Sequence, residues 1–432
     1  MKHRKPLLID GCTGEGGGQL VRLACALAAV TSQPIRIINV RGNRSRGTGL
    51  KSQHVSAIEW LAKATKAEVN GLVVGSRTLE FRPTVSPTAL KDRKIEIVAE
   101  SHGASTLLIL QAVFPFLLYA GNENGDAMEL EIYGSTNASF SPSYEYIDQV
   151  LLPTLQERFG IVVERELKKR AWTLGPLGKG CIWLKFQPIP PGQTLKLVKP
   201  WNDKKRQEDY KMKRVDVSIL VPDAVLELLK KAMVGYLSGA FPDADINFVL
   251  LEESGHDARM YVLAVAHSES GLRWGRDFLY DRSSKKKKPM TLADEIAKTV
   301  TRRLWEQTVA RTAAVDEHLQ DQLVVFQALT EGRTSYWSGE TEKLDTETRA
   351  DSAKTVDELS KSYEELNLER RMRKDKTHKP FGFGSTHATT ARWVTNELMP
   401  AVQWFNNGTI CEGAGLSLHS EIMPTDLPII ED

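Results

Sequence analysis

The residues best able to do chemistry fall into four clusters. The first is IDGCTGEGGGQLVR, Ile9 to Arg22, where a short apolar run meets four glycines and then helical spacing at Leu20, Leu23, Ala24 and Leu27. A glycine-rich turn that opens a helix aims backbone N–H groups outward and favours anions. It is not a P-loop, because no Lys-Ser/Thr pair follows, and Gln19 stands where a dinucleotide loop needs Gly or Ala. Glu15 sits awkwardly beside an anion, whereas Arg22 falls near the same end and suits one. The second cluster, VRGNRSRGTGLKSQH, gathers Arg41, Arg44, Arg46, Lys51, Gln53 and His54 around glycines. Arginine forks grip phosphate bidentately and glycine lets the backbone approach. The third is VDEHLQDQL, where His318 and Asp321 share one face of a helix start beside Gln322. The fourth is FGFGSTHATT, in which His387 sits among small hydroxyl residues. A neutral imidazole there can attack phosphorus or move a proton. Each cluster also has a bland reading: a packed turn, a solvated basic loop, a surface ion pair and a helix cap at Ser385.

Those clusters have to be held by regular elements. PIRIINVRG alternates like a strand, and a helix is expected around Val55–Lys66. A second unit follows as strand KIEIVAES, helix Ser105–Ala120 and strand MELEIYG. A third holds helix Ser143–Phe159 and strands IVVEREL and CIWLKFQP. The recurrence predicts an α+β fold: stacked repeats of a βαββ-type unit with helices on one face, interrupted by a smaller inserted α/β domain. The expected boundaries are 1–188 for the first part of the repeat domain, 189–289 for the insert with its linkers, and 290–432 for the last part. Within that last part, 338–380 loses its apolar content. Glu340–Glu369 holds ten acidic and four basic residues, and Arg370–Pro380 six basic and one acidic. Such a segment is expected to be a solvated, disordered loop.

Composition excludes several classes. The 432 residues carry 57 basic and 55 acidic side chains, a net charge of +2, which argues against a basic nucleic-acid sleeve. Four scattered cysteines without CxxC spacing argue against a zinc site or a disulfide scaffold and make a reducing compartment the default expectation. The most apolar run, Leu107–Ala120, is too short to span a bilayer, and no signal-peptide core precedes the glycine loop. The expectation is a soluble intracellular protein with no membrane partner.

Taken together, IDGCTGEGGGQLVR, RGNR…QH, SHGASTLLILQAVFP, NASFSPSYEYID, VDEHLQDQL and THATT resemble, in order and wording, the RNA 3′-terminal phosphate cyclase family. The resemblance implies an ATP-dependent conversion of an RNA 3′-phosphate to a 2′,3′-cyclic phosphodiester. It implies His387 as the catalytic residue that takes up AMP, which then passes to the RNA end. It implies Gln111, Pro142, His318, Asp321 and Gln322 around adenosine, with His318 where many members have a stacking Tyr. It further implies Glu15, Arg22, Arg41, Arg44, Gln53 and His54 around phosphates or the RNA end. A divalent metal (Mg2+ or Mn2+), with Glu15 as its ligand, would neutralise the triphosphate. The implied partners are ATP and RNA with a 3′-phosphate; the location is nuclear, with which the KKKK run at Lys285–Lys288 is compatible. Oligomeric state is left open.

Two other functions compete. One is a non-catalytic, cyclase-like ribosome-biogenesis factor that binds pre-rRNA; the resemblance implies that such a branch looks like one without the nucleophilic histidine. The other is an enolpyruvyl-transferase-like enzyme of the same stacked architecture, against which HLQDQL argues. His387 within STHATT favours the cyclase.

Overall fold

The computed structural model describes residues 5–45, 47–201, 207–209, 211–280, 288–308, 313–337 and 372–419. The chain begins with β1 (Leu7–Asp10), α1 (Gly18–Thr31), β2 (Ile35–Ile38), α2 (Ser52–Ala64), β3 (Glu68–Asn70) and β4 (Leu79–Arg82). Their sheet runs β1-β2-β4-β3, parallel between β1 and β2 and antiparallel elsewhere. The next stretch repeats this plan. It holds β5 (Lys94–Val98), α3 (Thr106–Leu118), β6 (Met128–Gly134), α4 (Tyr144–Tyr146), a π-helical stretch Ile147–Leu151, α5 (Leu152–Phe159), β7 (Val163–Lys169) and β8 (Gly180–Phe186), in the order β5-β6-β8-β7. In each sheet the expected βαββ unit is present, preceded by one further strand and helix.

The insert comprises β9 (Met212–Val221), α6 (Asp223–Ala240), β10 (Asp245–Glu253), β11 (Tyr261–Ser268), β12 (Arg273–Leu279) and α7 (Pro289–Thr308). Its sheet runs β10-β9-β11-β12. Central β11 is buried along almost its whole length, whereas edge strand β10 alternates between exposed and half-buried. Helix α7, expected in the last repeat part, packs on α6, β11 and β12 instead. Its apolar stripe Ile296, Val300, Leu304 therefore covers the insert's sheet.

The third repeat has α8 (Glu317–Leu329), β13 (Glu331–Ser335), α9 (Thr386–Leu398), β14 (Gln403–Phe405) and β15 (Ile410–Ala414), with sheet order β13-β15-β14. In the place of a first strand, Lys196 from before the insert makes one isolated parallel bridge to Glu331, and Leu195 beside it is buried. The insert thus falls between this bridging segment and the first helix of the third repeat. Of the polar stretch 338–380, residues 338–371 lie outside the described residues. Residues 372–380 depart from the disorder expectation. The carboxylate of Asp375 accepts from the backbone N–H groups of Asn407 (2.9 Å) and Gly408 (2.7 Å), and Lys374 bridges Phe405. A short charged segment can be fixed this way by backbone donors without burying apolar area.

Helices α1, α3 and α8 occupy equivalent places in the three repeats, and the core lies between them and the sheets. Helix α1 packs on α3 and α9, and α9 packs on α8. The ACALAA run explains the close approach: Ala24, Ala26, Ala28 and Ala29 are fully buried and leave no bulk between helices. The fully buried Leu20, Val21 and Leu27 beside them each contribute about 1.5–3 kcal/mol of apolar burial.

Candidate active site

Four helices bring their polar residues to one point. From α9, the His387 Nδ1 lies 2.9 Å from Gln19 Oε1 of α1. Gln19 Nε2 donates to Asp321 of α8, and Gln322 Nε2 donates to the same Asp321 oxygen at 3.0 Å. Gln322 Oε1 accepts from Gln111 Nε2 of α3 at 2.7 Å, and Gln111 Oε1 accepts from Arg22 Nε of α1 at 3.2 Å. The chain of bonds leaves α1 at Gln19 and returns to it at Arg22, three residues on, one helical turn away. Pro115 in α3 lacks an N–H and so frees the Gln111 carbonyl within this turn.

Electrostatics follow from burial. The Arg22 guanidinium is enclosed, and burial pushes its pKa down to about 10. Asp321 is pushed up to about 7 by burial, against the pull of Arg22. His387 is lowered to about 4, first by burial and then by Arg22 and Arg44, so its imidazole is neutral at physiological pH. His54 Nδ1 accepts from the Lys51 N–H at 3.0 Å, which places the ring proton on Nε2. That Nε2 is buried, has no partner within the protein, and faces Gly18 and Arg22. Burial and then Arg22 hold the ring neutral, well below the usual histidine range. An unpartnered buried donor beside a buried arginine is a cradle for an anion.

The glycine loop shapes the other wall. Gly14 and Gly16 have φ of +63° and +57°, and side chains there would strike Thr390 and Asn43. Thr390 Oγ1 of α9 accepts from the Glu15 N–H at 2.9 Å, tying the loop to the helix that carries His387. Glu15 is 5% exposed, folds over Gly17, pairs with Arg44 and lies 4.0 Å from His387 Nε2. His387 itself begins α9 behind the Ser385 N-cap. The preceding FGFG stretch is held by buried Arg392, whose Nη1 donates to the Phe383 carbonyl at 2.7 Å. Gly384, with φ +102°, leaves room for Gln320.

The remaining expected residues are placed less centrally. Arg41 Nη1 donates to the Gly47 and Gly49 carbonyls at 2.9 and 3.2 Å, and its charge reaches both Arg22 and His54. It braces its own loop, at φ +55°. Gln53 is half-buried in the first turn of α2, and half-buried Pro142 precedes the Ser143 cap of α4. Arg46 lies outside the described residues. His318 stands in the first turn of α8, edge-on to Tyr146, with Nε2 3.1 Å from Arg276 of the insert. A cleft of about 670 Å³, measured to its open mouth, opens beside the bonded ring. Leu110, Phe114, Ile147 and Val325 line it, and Gln19, Arg22, Gln111 and Asp321 form its polar end, while Pro142 and His318 stand apart from it.

Sequence reasoning passed over two participants. Gln19 was visible only as the residue that spoils a dinucleotide fingerprint, although its spacing to Arg22 puts both on one helix face. Arg276 carried no signal, because it reaches the site from a different domain. As for a metal, the described residues hold no group of three or more His, Cys, Asp or Glu able to make a cage. A cation arriving with a polyphosphate would meet Glu15, which is paired with Arg44 here; magnesium is commonly held by one or two carboxylates plus phosphate oxygens.

The buried carboxyl gives a stability prediction. The Asp321 pKa is higher folded than unfolded, so its stabilising protonation is complete below about pH 4 and lost as pH rises through about 7. Asp321→Asn has no such loss. Thermal melts should therefore show the variant gaining on wild type from about pH 5.5 to about pH 8; a constant difference would contradict the assignment.

The RNA 3′-terminal phosphate cyclase family model matches residues 13–358. That span contains every expected site residue except His387, whose place in the site rests on the geometry above. The RNA 3′-terminal phosphate cyclase of Pyrococcus furiosus is 33% identical over 333 residues, covering 76% of this chain and 87% of that protein. The protein of the same name from Ignicoccus hospitalis is 32% identical over 330 residues, with 76% and 86% covered. That of Methanosarcina mazei is 33% identical over 331 residues, with 76% and 88% covered.

Proposed function

For a chain that belongs to the RNA 3′-terminal phosphate cyclase family, we propose the ATP-dependent conversion of an RNA 3′-phosphate to a 2′,3′-cyclic phosphodiester. The observation that carries this reading is His387: a neutral imidazole with Nδ1 bonded to Gln19 and Nε2 turned toward Glu15, beside buried Arg22. In the first step Nε2 attacks the α-phosphorus of ATP and pyrophosphate leaves. In the second an oxygen of the RNA 3′-phosphate displaces the imidazole and takes the AMP. In the third the neighbouring 2′-OH attacks the RNA phosphorus, AMP leaves, and Glu15 is the carboxylate at hand for the hydroxyl proton. Arg22, the His54 Nε2–H and Arg44 supply fixed positive charge and donors to the phosphates, where preorganised donors are worth most. Gln111, Asp321 and Gln322 take the adenosine side, and His318 and Pro142, which stand outside the cleft, would flank the nucleotide beyond its mouth. A divalent metal bound with the triphosphate would be held through Glu15 and would neutralise phosphate charge.

The reading is tested by incubating RNA bearing a 3′-phosphate with the protein, ATP and Mg2+ or Mn2+. Ends that become resistant to phosphatase support it, and ends that stay sensitive overturn it. The non-catalytic pre-rRNA-binding alternative is not favoured, since the relatives are named for the cyclase and the imidazole is present. No helix among the described residues is long and apolar enough to cross a membrane. The nuclear location gains no support: Lys285–Lys287 lie outside the described residues, and the relatives named above are archaeal, from cells without a nucleus.

The insert contributes to the nucleotide side. The Arg276 Nη1 bonds to His318 Nε2 and pairs with Glu317 at 3.4 Å, orienting the imidazole that stands in for a stacking ring. Arg276→Ala is expected to raise the KM for ATP about tenfold with a smaller change in kcat, the size of one lost hydrogen bond to a charged group. Steady-state kinetics with varied ATP would show it, and an unchanged KM would remove Arg276 from the site.

A further inference from the structure

The bonded ring does more than join four helices, because an amide has two different ends. Asp321 accepts from two amide nitrogens at one carboxylate oxygen, Gln19 Nε2 and Gln322 Nε2. An ionised carboxylate can only accept, so it draws the NH2 end of Gln19 toward itself. The carbonyl end then faces His387, and the 2.9 Å contact must be donated by Nδ1–H. The lone pair of a neutral imidazole so held is on Nε2, the nitrogen that faces Glu15 and the anion cradle.

We propose that Gln19 is a positioning residue that couples Asp321 to the tautomer of His387, so that the nucleophile is armed only while Asp321 is ionised. When Asp321 takes its proton on Oδ2, the oxygen that both amides face, that hydroxyl becomes a donor while its remaining lone pair can still accept from Gln322 Nε2. The Gln19 amide turns over to accept from it and presents NH2 to His387. Nδ1 must then accept, so its proton goes to solvent and another is taken up at Nε2. The imidazole stays neutral throughout, yet the attacking lone pair is covered.

The groups that face this pair set its balance. Arg22 of α1 favours the carboxylate, while burial and Asp316, the N-cap of α8, oppose it. Gln111 of α3 and Tyr146 of α4 are the uncharged neighbours. Around His387 stand Arg22, Arg44 and His318, with Glu317 and Glu15 opposing. Burial, opposed by Arg22, puts the Asp321 transition at about 7.

The proposal rests on His387 as the nucleophile, but its test does not need turnover. In the full chain labelled with 15N at histidine, ring resonances identified by their loss in His387→Ala report the tautomer directly. At about pH 8 His387 should carry its proton on Nδ1, and at about pH 6 on Nε2. In Gln19→Leu and in Asp321→Asn the tautomer should be the same at both values. A wild-type tautomer that does not change, or a change that survives in either variant, overturns the proposal. The second measurement is single-turnover labelling of the protein from α-labelled ATP. Wild type should lose about tenfold between about pH 8 and about pH 6, a factor of ten per unit below the transition. The rate in Asp321→Asn should be flat across that range, and a parallel fall there also overturns the proposal. Absent label with a switching tautomer would sink the cyclase reading alone; label with a fixed tautomer would sink the coupling alone.

Discussion

His387→Ala is expected to abolish covalent labelling of the protein by α-labelled ATP and to lower cyclisation by about 10⁴-fold or more, the loss seen when a nucleophile is removed. The reason is chemical rather than structural. An alanine in the first turn of α9 keeps the Ser385 cap, because the cap is made by Ser385 Oγ accepting from the Ala388 N–H at 3.2 Å. The imidazole is half-exposed, so its removal leaves little buried surface unfilled. Folding, followed by circular dichroism, should therefore be nearly unchanged while label is lost. The bond to be detected is acid-labile and alkali-stable, as expected of phosphorus on nitrogen. Equal labelling of wild type and variant would remove His387 from the chemistry. Because the matched family span ends at residue 358, this variant is also the most direct check on the segment that lies beyond it.

Arg22→Ala should have the next largest effect. Its guanidinium is a buried charge in the ring: it donates to Gln111, flanks Gly18 with His54 and offsets the Asp321 carboxylate. Loss of a preorganised donor to developing phosphate charge costs about 10²–10³ in kcat. A second consequence follows from burial. Without Arg22, Asp321 has less to hold it ionised, so any pH dependence of labelling should move to higher pH, by direction of the lost Coulombic pull. Arg22→Lys separates the two roles. It restores charge but not the fork that reaches Gln111, so it should recover the pH profile and only part of the rate. Label formation and its pH profile measured on both variants would decide. An Arg22→Ala enzyme with wild-type rates would place the phosphate elsewhere in the site.

How much of this was legible beforehand depends on the range of the interaction. The strand and helix units around Leu7–Arg22, Lys94–Ala120 and Asp223–Leu237 could be read because apolar spacing is a local signal, and local spacing decides which face an element buries. The glycine loop could be read for the same reason, since positive φ at Gly14 and Gly16 is a property of the residue type. The tail of the polar stretch could not. Asp375 is fixed by two backbone donors from residues more than thirty positions away, and no composition window contains that fact. Helix α7 was expected in the last repeat because it follows a linker, yet its apolar stripe is satisfied by whichever sheet lies nearest.

The sequence by itself determined which side chains were available: a histidine among small hydroxyl residues, arginines beside glycines, and paired carboxylate and amide groups at a helix start. Only the tertiary structure decided how they are used. Gln19 and His387 meet across 368 positions of chain, and Arg41, equal to Arg22 on paper, also braces its own loop carbonyls through Nη1. Arg276 enters from a domain spliced into the third repeat. The physical reason is that hydrogen bonds are short and directional. Residue type says what a group can donate or accept, but the packing of α1, α3, α8 and α9 selects the partner.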